Sequence, residues 1–297
     1  MDNPSPPITL RNILVATDFS SASQTAALYG IAIARRYDAM LYLVHMVGAE
    51  LLALSGTDSN RALDDAWREG QRLTIDLLVA GQLRGLKNTL LVERGEIWDG
   101  LAPVVAKHAI DMIVVGTRGR TGLAKMFIGS VAERIFRNAL CPVLTVGPHS
   151  PAPVNREQGV KRILYATDFT PQSLYAAQYA ISMAQQFQAH LTVMHVVPEL
   201  EGGVLDEQCV PAAEGRLRQL ISGDRPVEFE AQCVVASGPP PTRILEVAAK
   251  DKSELIVLGV TQPGDMTLAG RRWTNASEIA GKAPCPVLTV RKPEGTP

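Results

Sequence analysis

Arg11-Asn12-Ile13-Leu14-Val15-Ala16-Thr17-Asp18-Phe19-Ser20 recurs 150 residues later as Lys161-Arg162-Ile163-Leu164-Tyr165-Ala166-Thr167-Asp168-Phe169-Thr170. A second pair, Cys141-Pro142-Val143-Leu144-Thr145-Val146 and Cys285-Pro286-Val287-Leu288-Thr289-Val290, recurs at an offset of 144. Both ends of one pattern are present twice, so the chain reads as two copies of a single domain, the second somewhat shorter internally. The expected organisation is a first domain over 1–147, a Pro-rich linker over 148–160 and a second domain over 161–297. The linker holds Pro148, Pro151 and Pro153, has no apolar period, and is expected to be stiff where the prolines cluster.

Working outward from the repeat, each copy alternates strand-like and helix-like patterns. In the first, Ile13–Ala16, Leu41–Val47, Leu90–Val92, Met112–Val115 and Val143–Val146 are short apolar runs. Such continuous runs point to parallel strands buried on both faces. Between the first two, Ala26, Tyr29, Gly30, Ile33 and Tyr37 form a helix stripe, preserved in the second copy as Ala176, Tyr179, Ala180, Met183 and Phe187. Leu63–Leu83 and Ile97–His108 also read as helices. The order βαβαβαβαβ predicts an open α/β domain with a five-stranded parallel sheet, right-handed crossovers and helices on both faces, twice in tandem.

Composition narrows the function classes. The 297 residues carry 29 Lys+Arg against 30 Asp+Glu, for a net charge of −1. Neither half has a basic excess: residues 1–150 hold 15 basic against 14 acidic side chains, and residues 151–297 hold 14 against 16. That balance argues against a general nucleic-acid binder. No apolar run approaches the ~20 residues that span a bilayer, and no secretory signal is visible. Cys141, Cys209, Cys233 and Cys285 form no C-x-x-C pair and no metal-ligand spacing, which fits a reduced, cytoplasmic protein.

In open α/β sheets, ligands bind beyond the carboxyl ends of the strands, where the strand order reverses. Strand one ends at Ala16-Thr17-Asp18, and strand four ends at Val115-Gly116. Strand four runs into Gly116-Thr117-Arg118-Gly119-Arg120-Thr121-Gly122 and then Gly129-Ser130-Val131, where a helix is expected to start. Glycines let backbone amides approach an anion, and a helix N-terminus offers free N–H groups and a positive dipole end. Arg118, Arg120 and Lys125 add positive charge to the same loop. The glycine pattern, Gly116, Gly119, Gly129 and Ser130, is neither a Walker P-loop nor a Rossmann fingerprint following the first strand.

The Ala-Thr-Asp-Phe-Ser opening, His45 near the end of strand two, the glycine pattern and the Cys-Pro-Val final strand together resemble the universal stress protein family in a tandem two-domain form. The resemblance covers both halves and implies open Rossmann-like domains of the adenine nucleotide alpha hydrolase kind. It further implies an ATP site in the first domain. Ala16, Thr17 and Asp18 would lie near base and ribose, and the backbone at His45 and Met46 would close over adenine. Val115, Gly116, Thr117, Arg118 and Gly119 would flank ribose and phosphates, and Gly129, Ser130 and Val131 would hold the phosphates. Mg²⁺ or Mn²⁺ would accompany the triphosphate, although no carboxylate cluster dedicated to a metal is seen.

The second copy departs from that pattern. It keeps Ala166-Thr167-Asp168 and Gly259, but Gln262 replaces the second glycine and Trp273-Thr274 stands where Gly129-Ser130 would be. Bulky Arg271, Arg272 and Trp273 argue against ATP there. The resemblance thus implies an ATP-binding stress-response sensor or regulator with one intact and one degenerate motif. It also implies an intrachain pseudo-dimer, a homodimer and an unnamed protein partner. A slow ATPase or phosphotransferase, or a ligand-free interaction module, are the competing functions. No catalytic residue is assigned, because phosphoryl transfer needs a positioned nucleophile that the sequence does not display.

Plainer readings stand beside these. Asp18 and Asp168 precede helices and can serve their N-termini. His45 and His195 fit packing or hydrogen bonding better than catalysis. Cys141 and Cys285 read as small buried apolar residues, and Trp67 and Trp98 as core or interface.

Overall fold

The computed structural model describes residues 8–47, 59–117, 128–153, 159–197, 209–222, 229–261 and 269–293. Contacts divide the chain into two compact units, the N-terminal one built on Thr9–Pro148 and the C-terminal one on residues from 159 onward.

The N-terminal unit runs β1 (Asn12–Ala16), α1 (Ser21–Tyr37), β2 (Met40–Val47), α2 (Ser59–Val79), β3 (Asn88–Arg94), α3 (Ile97–Lys107), β4 (Met112–Gly116), α4 (Ser130–Asn138) and β5 (Val143–Val146). All neighbouring strands are parallel, in the order β3-β2-β1-β4-β5. The C-terminal unit runs β6 (Arg162–Thr167), α5 (Pro171–Phe187), β7 (His190–Val197), α6 (Cys209–Ser222), β8 (Ala231–Ser237), α7 (Pro240–Lys250), β9 (Leu255–Gly259), α8 (Ala269–Lys282) and β10 (Val287–Val290). Its strands are again all parallel, in the order β8-β7-β6-β9-β10. Both units are the expected α/β domain.

Helices cover both faces of the N-terminal sheet. A Cβ added to Gly30 of α1 would meet Val15, Leu41 and Val114, and one added to Gly70 of α2 would meet Leu90 and Phe19, so α1 and α2 share one face. Ala16, Val44 and Val115, in register across β1, β2 and β4, face the other side, where they meet Ile97 and Leu101 of α3 and Ile135 of α4. This division follows from right-handed crossovers: the chain moves one way from β1 to β3 and reverses to reach β4. The reversal leaves the crevice between β1 and β4 at their carboxyl ends.

Of the stripe read for α1, Ala26, Gly30 and Ile33 are buried, joined by Ala27, Ile31 and Ala34, while Tyr29 and Tyr37 are half-buried. Gly30 is required there, because its added Cβ would stand 2.4 Å from Val15 Cγ2. Gly30→Ala is therefore expected to destabilise by about 1–3 kcal/mol from overpacking, against a helix-propensity gain of at most about 1 kcal/mol. Urea unfolding measures the balance, and Val15→Ala added to the variant should recover part of the loss. A stabilised single variant would contradict the packing.

Three details differ from the sequence expectation. The long second helix ends at Val79 rather than Leu83, because the chain turns at Gly81 with φ +71°. Trp67 is 42% exposed and so lies outside the core, while Trp98 is half-buried. Cys285 is buried as expected, but Cys141 is only half-buried. Burial pushes the Cys285 thiol up to about 12. Because the thiolate is the nucleophile, iodoacetamide at pH 8 should modify exposed Cys209 early and leave Cys285 unmodified in the native chain. Mass mapping reads the order, and early labelling of Cys285 would contradict its burial.

Candidate functional site

The site begins with the turn after β1. Thr17 is buried, its amide donates to the Val44 carbonyl at 2.9 Å, and its carbonyl faces His45 Nδ1 at 2.7 Å. A carbonyl only accepts, so that histidine nitrogen carries the proton. Thr17 Oγ1 accepts from the Phe19 amide at 3.0 Å and lies 3.1 Å from Ser23 Oγ. These bonds hold Phe19 at φ +62°, rare for a bulky residue, with its ring 4.4 Å from the His45 ring. Ser20 caps α1 by accepting from the Ser23 amide at 3.3 Å. Asp18 Oδ1 in turn accepts from the Ser20 amide at 3.0 Å and from the Ser20 hydroxyl at 2.5 Å.

The same construction is built on Thr167, Asp168, Phe169, Thr170, Ser173 and His195, with Phe169 at φ +58° and the His195–Thr167 carbonyl distance again 2.7 Å. Both aspartates thus orient the capping residue, and both histidines act through a hydrogen bond and ring packing. One substitution alters this region of the second copy. Tyr165 replaces Val15, is fully buried, and donates its hydroxyl to the Ser173 carbonyl. Burial, ahead of every other cause, raises that phenol well above its ordinary range, so it stays protonated.

Beyond β4, Gly129 is the N-cap of α4, with φ −67°, ψ 155° and no side chain capping it. Its own amide donates to the Thr117 carbonyl at 2.8 Å, and the first helical bond runs from Glu133 to its carbonyl. Ser130, Val131 and Ala132 therefore present the orphan amides of the first turn at the positive end of the helix dipole. A Cβ on Gly129 would stand 3.0 Å from the Thr117 carbonyl oxygen, so the glycine is what lets the two backbones close.

These elements surround a cavity of about 280 Å³ at the crevice between β1 and β4. The predicted residues Ala16, Thr17, Asp18, Met46, Val115, Gly116, Thr117, Gly129, Ser130 and Val131 all line it, as does His45. Arg118 and Gly119, with Arg120 and Lys125, lie outside the described residues, as does Gln262 of the second copy. Sequence reasoning missed Ser23, Val44, Ile97, Leu101, Ala132 and Ile135 as lining. Ile97 and Leu101 were legible as an i, i+4 pair opening α3, and Ser23 as the repeated Ser-x-x-Ser/Thr-x-x-Ser spacing at the cap.

The lining combines two chemistries: Val44, Met46, Ile97, Leu101, Val115 and Ile135 make an apolar slot, and Thr17, Asp18, Thr117 and Ser130 add polar groups. Asp18 is the sole charged side chain in the described lining. Gly100 of α3 leaves room for the Met46 tip, since its added Cβ would stand 2.0 Å from Met46 Cε. Arg134 of α4 and Glu96, the N-cap of α3, join the two helices by a 2.5 Å ion pair. Among the described residues no three His, Cys, Asp or Glu side chains group as metal ligands.

Gly116 has a packing reason for being glycine beside the one the motif implied. Its added Cβ would meet the Ala22 carbonyl oxygen at 3.2 Å, on the face covered by α1. Gly259 of the second copy is tighter still, 2.4 Å from Ser173 Cα. This glycine admits the N-terminus of the first helix, and it persists in both copies for that packing.

The copies diverge most at the last helix. α8 has 14 residues where α4 has 9, and both end at equivalent positions. Trp273 and Thr274, which align with Gly129 and Ser130, therefore lie inside α8, and their amides are engaged in helical bonds.

The universal stress protein family model matches residues 9–147 and again 159–291. A universal stress protein of Methanocaldococcus jannaschii is 33% identical over 138 residues, 46% of this chain and 81% of that protein. One from Mycobacterium tuberculosis is 26% identical over 306 residues, 97% of this chain and 99% of the other, so that likeness runs through both halves. The crystal structure of a universal stress protein from Archaeoglobus fulgidus superposes with a TM-score of 0.71 at 18% identity, covering 97% of this chain and 98% of that one. At that identity the superposition speaks for the fold. No described helix is long and apolar enough to cross a membrane. Matched by one family model in each half, the chain belongs to the universal stress protein family as a tandem pair of its domains.

Proposed function

We propose that the N-terminal domain binds ATP in the crevice between β1 and β4, and that the chain works as a cytoplasmic, nucleotide-responsive regulator of the stress response. The carrying observation is that an uncapped helix N-terminus at Gly129-Ser130 opens into the same cavity as an apolar slot. A flat, weakly polar base suits the slot between Met46, Ile97 and Leu101. The amides of Ser130, Val131 and Ala132, with the Ser130 hydroxyl, suit phosphate oxygens. The Asp18 carboxylate suits acceptance from ribose hydroxyls, and Thr17, whose amide, carbonyl and hydroxyl are all engaged within the protein, shapes the turn that presents it.

Charge favours triphosphate over a neutral ligand only through the helix dipole and the loop after Thr117, since Asp18 is the one charge in the described lining. That single carboxylate gives a divalent ion little protein ligation, so Mg²⁺ would enter with the phosphates rather than to a prepared site. ATP, when bound, supplies a ligand whose unequal affinity for two conformations sets their populations. The regulator reading is favoured over a phosphotransferase because the described lining places no base beside a nucleophile. In the C-terminal domain the longer α8 pairs the amides at 273 and 274 and moves its unpaired first turn five residues upstream, to 269–271, which supports one nucleotide per chain.

Calorimetric titration of the full chain with ATP and Mg²⁺ tests the reading. One ATP per chain is the expected stoichiometry. Two would overturn the asymmetry, and none would return the chain to a ligand-free interaction module.

A further inference from the structure

The C-terminal unit holds a second cavity of about 280 Å³ at the opposite end of its sheet, where β6, β7 and β8 begin and α7 ends. Its rim carries Arg162, His190, Lys250 and Lys252, and its floor is formed by Thr192, Gln232 and Asp251. The floor is a fixed polar network. Gln232 Nε2 donates to Thr192 Oγ1 at 2.8 Å and to Asp251 Oδ2 at 3.2 Å, and Thr192 Oγ1 donates to that same oxygen at 3.2 Å. Arg162 Nη1 donates to the Asp251 carbonyl at 3.2 Å, so its guanidinium is held over the cavity by a backbone oxygen rather than by a carboxylate. Neither the Lys250 nor the Lys252 ammonium group has an ion-pair or hydrogen-bond partner among the described residues. Three formal positive charges thus face one carboxylate whose Oδ2 already accepts two hydrogen bonds.

The N-terminal unit supplies an internal control. Strand register places Asn12, Met40, Tyr42 and Thr89 where the second copy has Arg162, His190, Thr192 and Gln232. The helix ends match as Lys107-His108-Ala109 against Lys250-Asp251-Lys252, with Ala109 at φ +46° and Lys252 at φ +52°. In the first copy the Tyr42 and His108 rings stack with centroids 4.6 Å apart. In the second, that aromatic pair has become the Thr192–Asp251 hydrogen bond, and three basic residues have been added around it. Only the lysine at the helix C-terminus is common to both, as expected from its favourable interaction with the helix dipole. Arg162 and Lys252 also stand at that helix end, Arg162 through its bond to the C-cap carbonyl of Asp251, but no carboxylate of the described fold forms an ion pair with either.

We propose that this cavity binds a small multivalent oxyanion of the phosphate type, either inorganic phosphate or a phosphomonoester. Arg162 and the two lysines supply the charge, and the Thr192–Gln232–Asp251 floor accepts from a protonated phosphate oxygen or a neighbouring hydroxyl. A neutral ligand would leave the cations uncompensated, and a monocarboxylate would compensate one of them.

The test is titration of the full chain with inorganic phosphate at constant ionic strength, followed by calorimetry and by the His190 ring resonances. The variant R162N/K252A installs the first copy's own residues on an unchanged backbone, and K107A alters the matching lysine of the N-terminal unit. Saturable binding that shifts His190, weakens at least tenfold in R162N/K252A and is unchanged in K107A is the expected result. A glycerol phosphate that binds more tightly than inorganic phosphate would assign the ligand as a phosphomonoester, and the reverse order would assign the free ion. Absence of saturable binding, or equal binding by R162N/K252A, overturns the proposal. The ATP stoichiometry of the N-terminal domain is measured separately, and neither outcome there alters this one.

Discussion

Replacing Gly129 by tryptophan should weaken ATP binding at least 100-fold and bring the measured stoichiometry close to zero. The side chain would enter where an added Cβ already stands 3.0 Å from the Thr117 carbonyl oxygen, at the cap that exposes the first-turn amides. Losing several charge-assisted hydrogen bonds, each worth about 1.5–3 kcal/mol, accounts for that fall. The reciprocal variant, Trp273→Gly, should leave the stoichiometry at one, because residue 273 lies within α8 and its amide is already bonded. Calorimetry measures both, with far-ultraviolet circular dichroism confirming that each variant is folded. Unimpaired binding by a folded G129W chain, or a second site in W273G, would refute the placement of the phosphates.

Gly259→Ala should cost the C-terminal domain about 3 kcal/mol or more, beyond the usual overpacking range of about 1–3 kcal/mol. Its added Cβ would collide with backbone, 2.4 Å from Ser173 Cα and 2.6 Å from both the Ser173 amide nitrogen and the Gln172 carbonyl oxygen. Ser173 cannot retreat easily, since its amide and hydroxyl are tied to Thr170 and Thr167 at the start of α5. Gly116→Ala, with its tightest contact at 3.2 Å, should cost markedly less. Hydrogen exchange of the β6 and β9 amides reports the domain directly. Equal effects at the two positions would contradict the tighter packing of the second copy. The comparison also separates roles, because Gly116→Ala should leave ATP affinity within about threefold, whereas a glycine needed for phosphate approach would lose far more.

Much of the site was legible in the residues. Ala16, Thr17 and Asp18 were placed by the rule that ligands meet open sheets where strand order reverses, and Gly129 and Ser130 by the expectation of a helix start. The walls were less legible. Ile97, Leu101 and Ile135 look like any core-facing apolar stripe, and which of them faces a cavity depends on how α3 and α4 settle over β1 and β4. Trp67 was read as core or interface, and only the packing of α2, which leaves it 42% exposed, removes the core alternative.

Gly116 shows the limit from the other direction. A glycine beside a suspected phosphate loop invites a functional explanation, and only the position of the Ala22 carbonyl reveals a packing reason beside it. The second copy's degeneracy was visible as bulky residues at 271–273, but its cause is the five-residue difference in helix length, a backbone property.

By itself, then, the sequence determined the duplication, the alternation of strands and helices, the parallel sheets and the location of the crevice. Those follow from periodicity, from offset repeats and from the handedness of crossovers, all of which are local or topological. Tertiary structure alone decided which glycines make room for backbone, which apolar residues wall the cavity, where α8 begins, and that the second copy exchanges a Tyr42–His108 stack for a charged pocket. These depend on distances of a few tenths of an ångström between residues far apart in the chain, and no pattern along a single sequence encodes them.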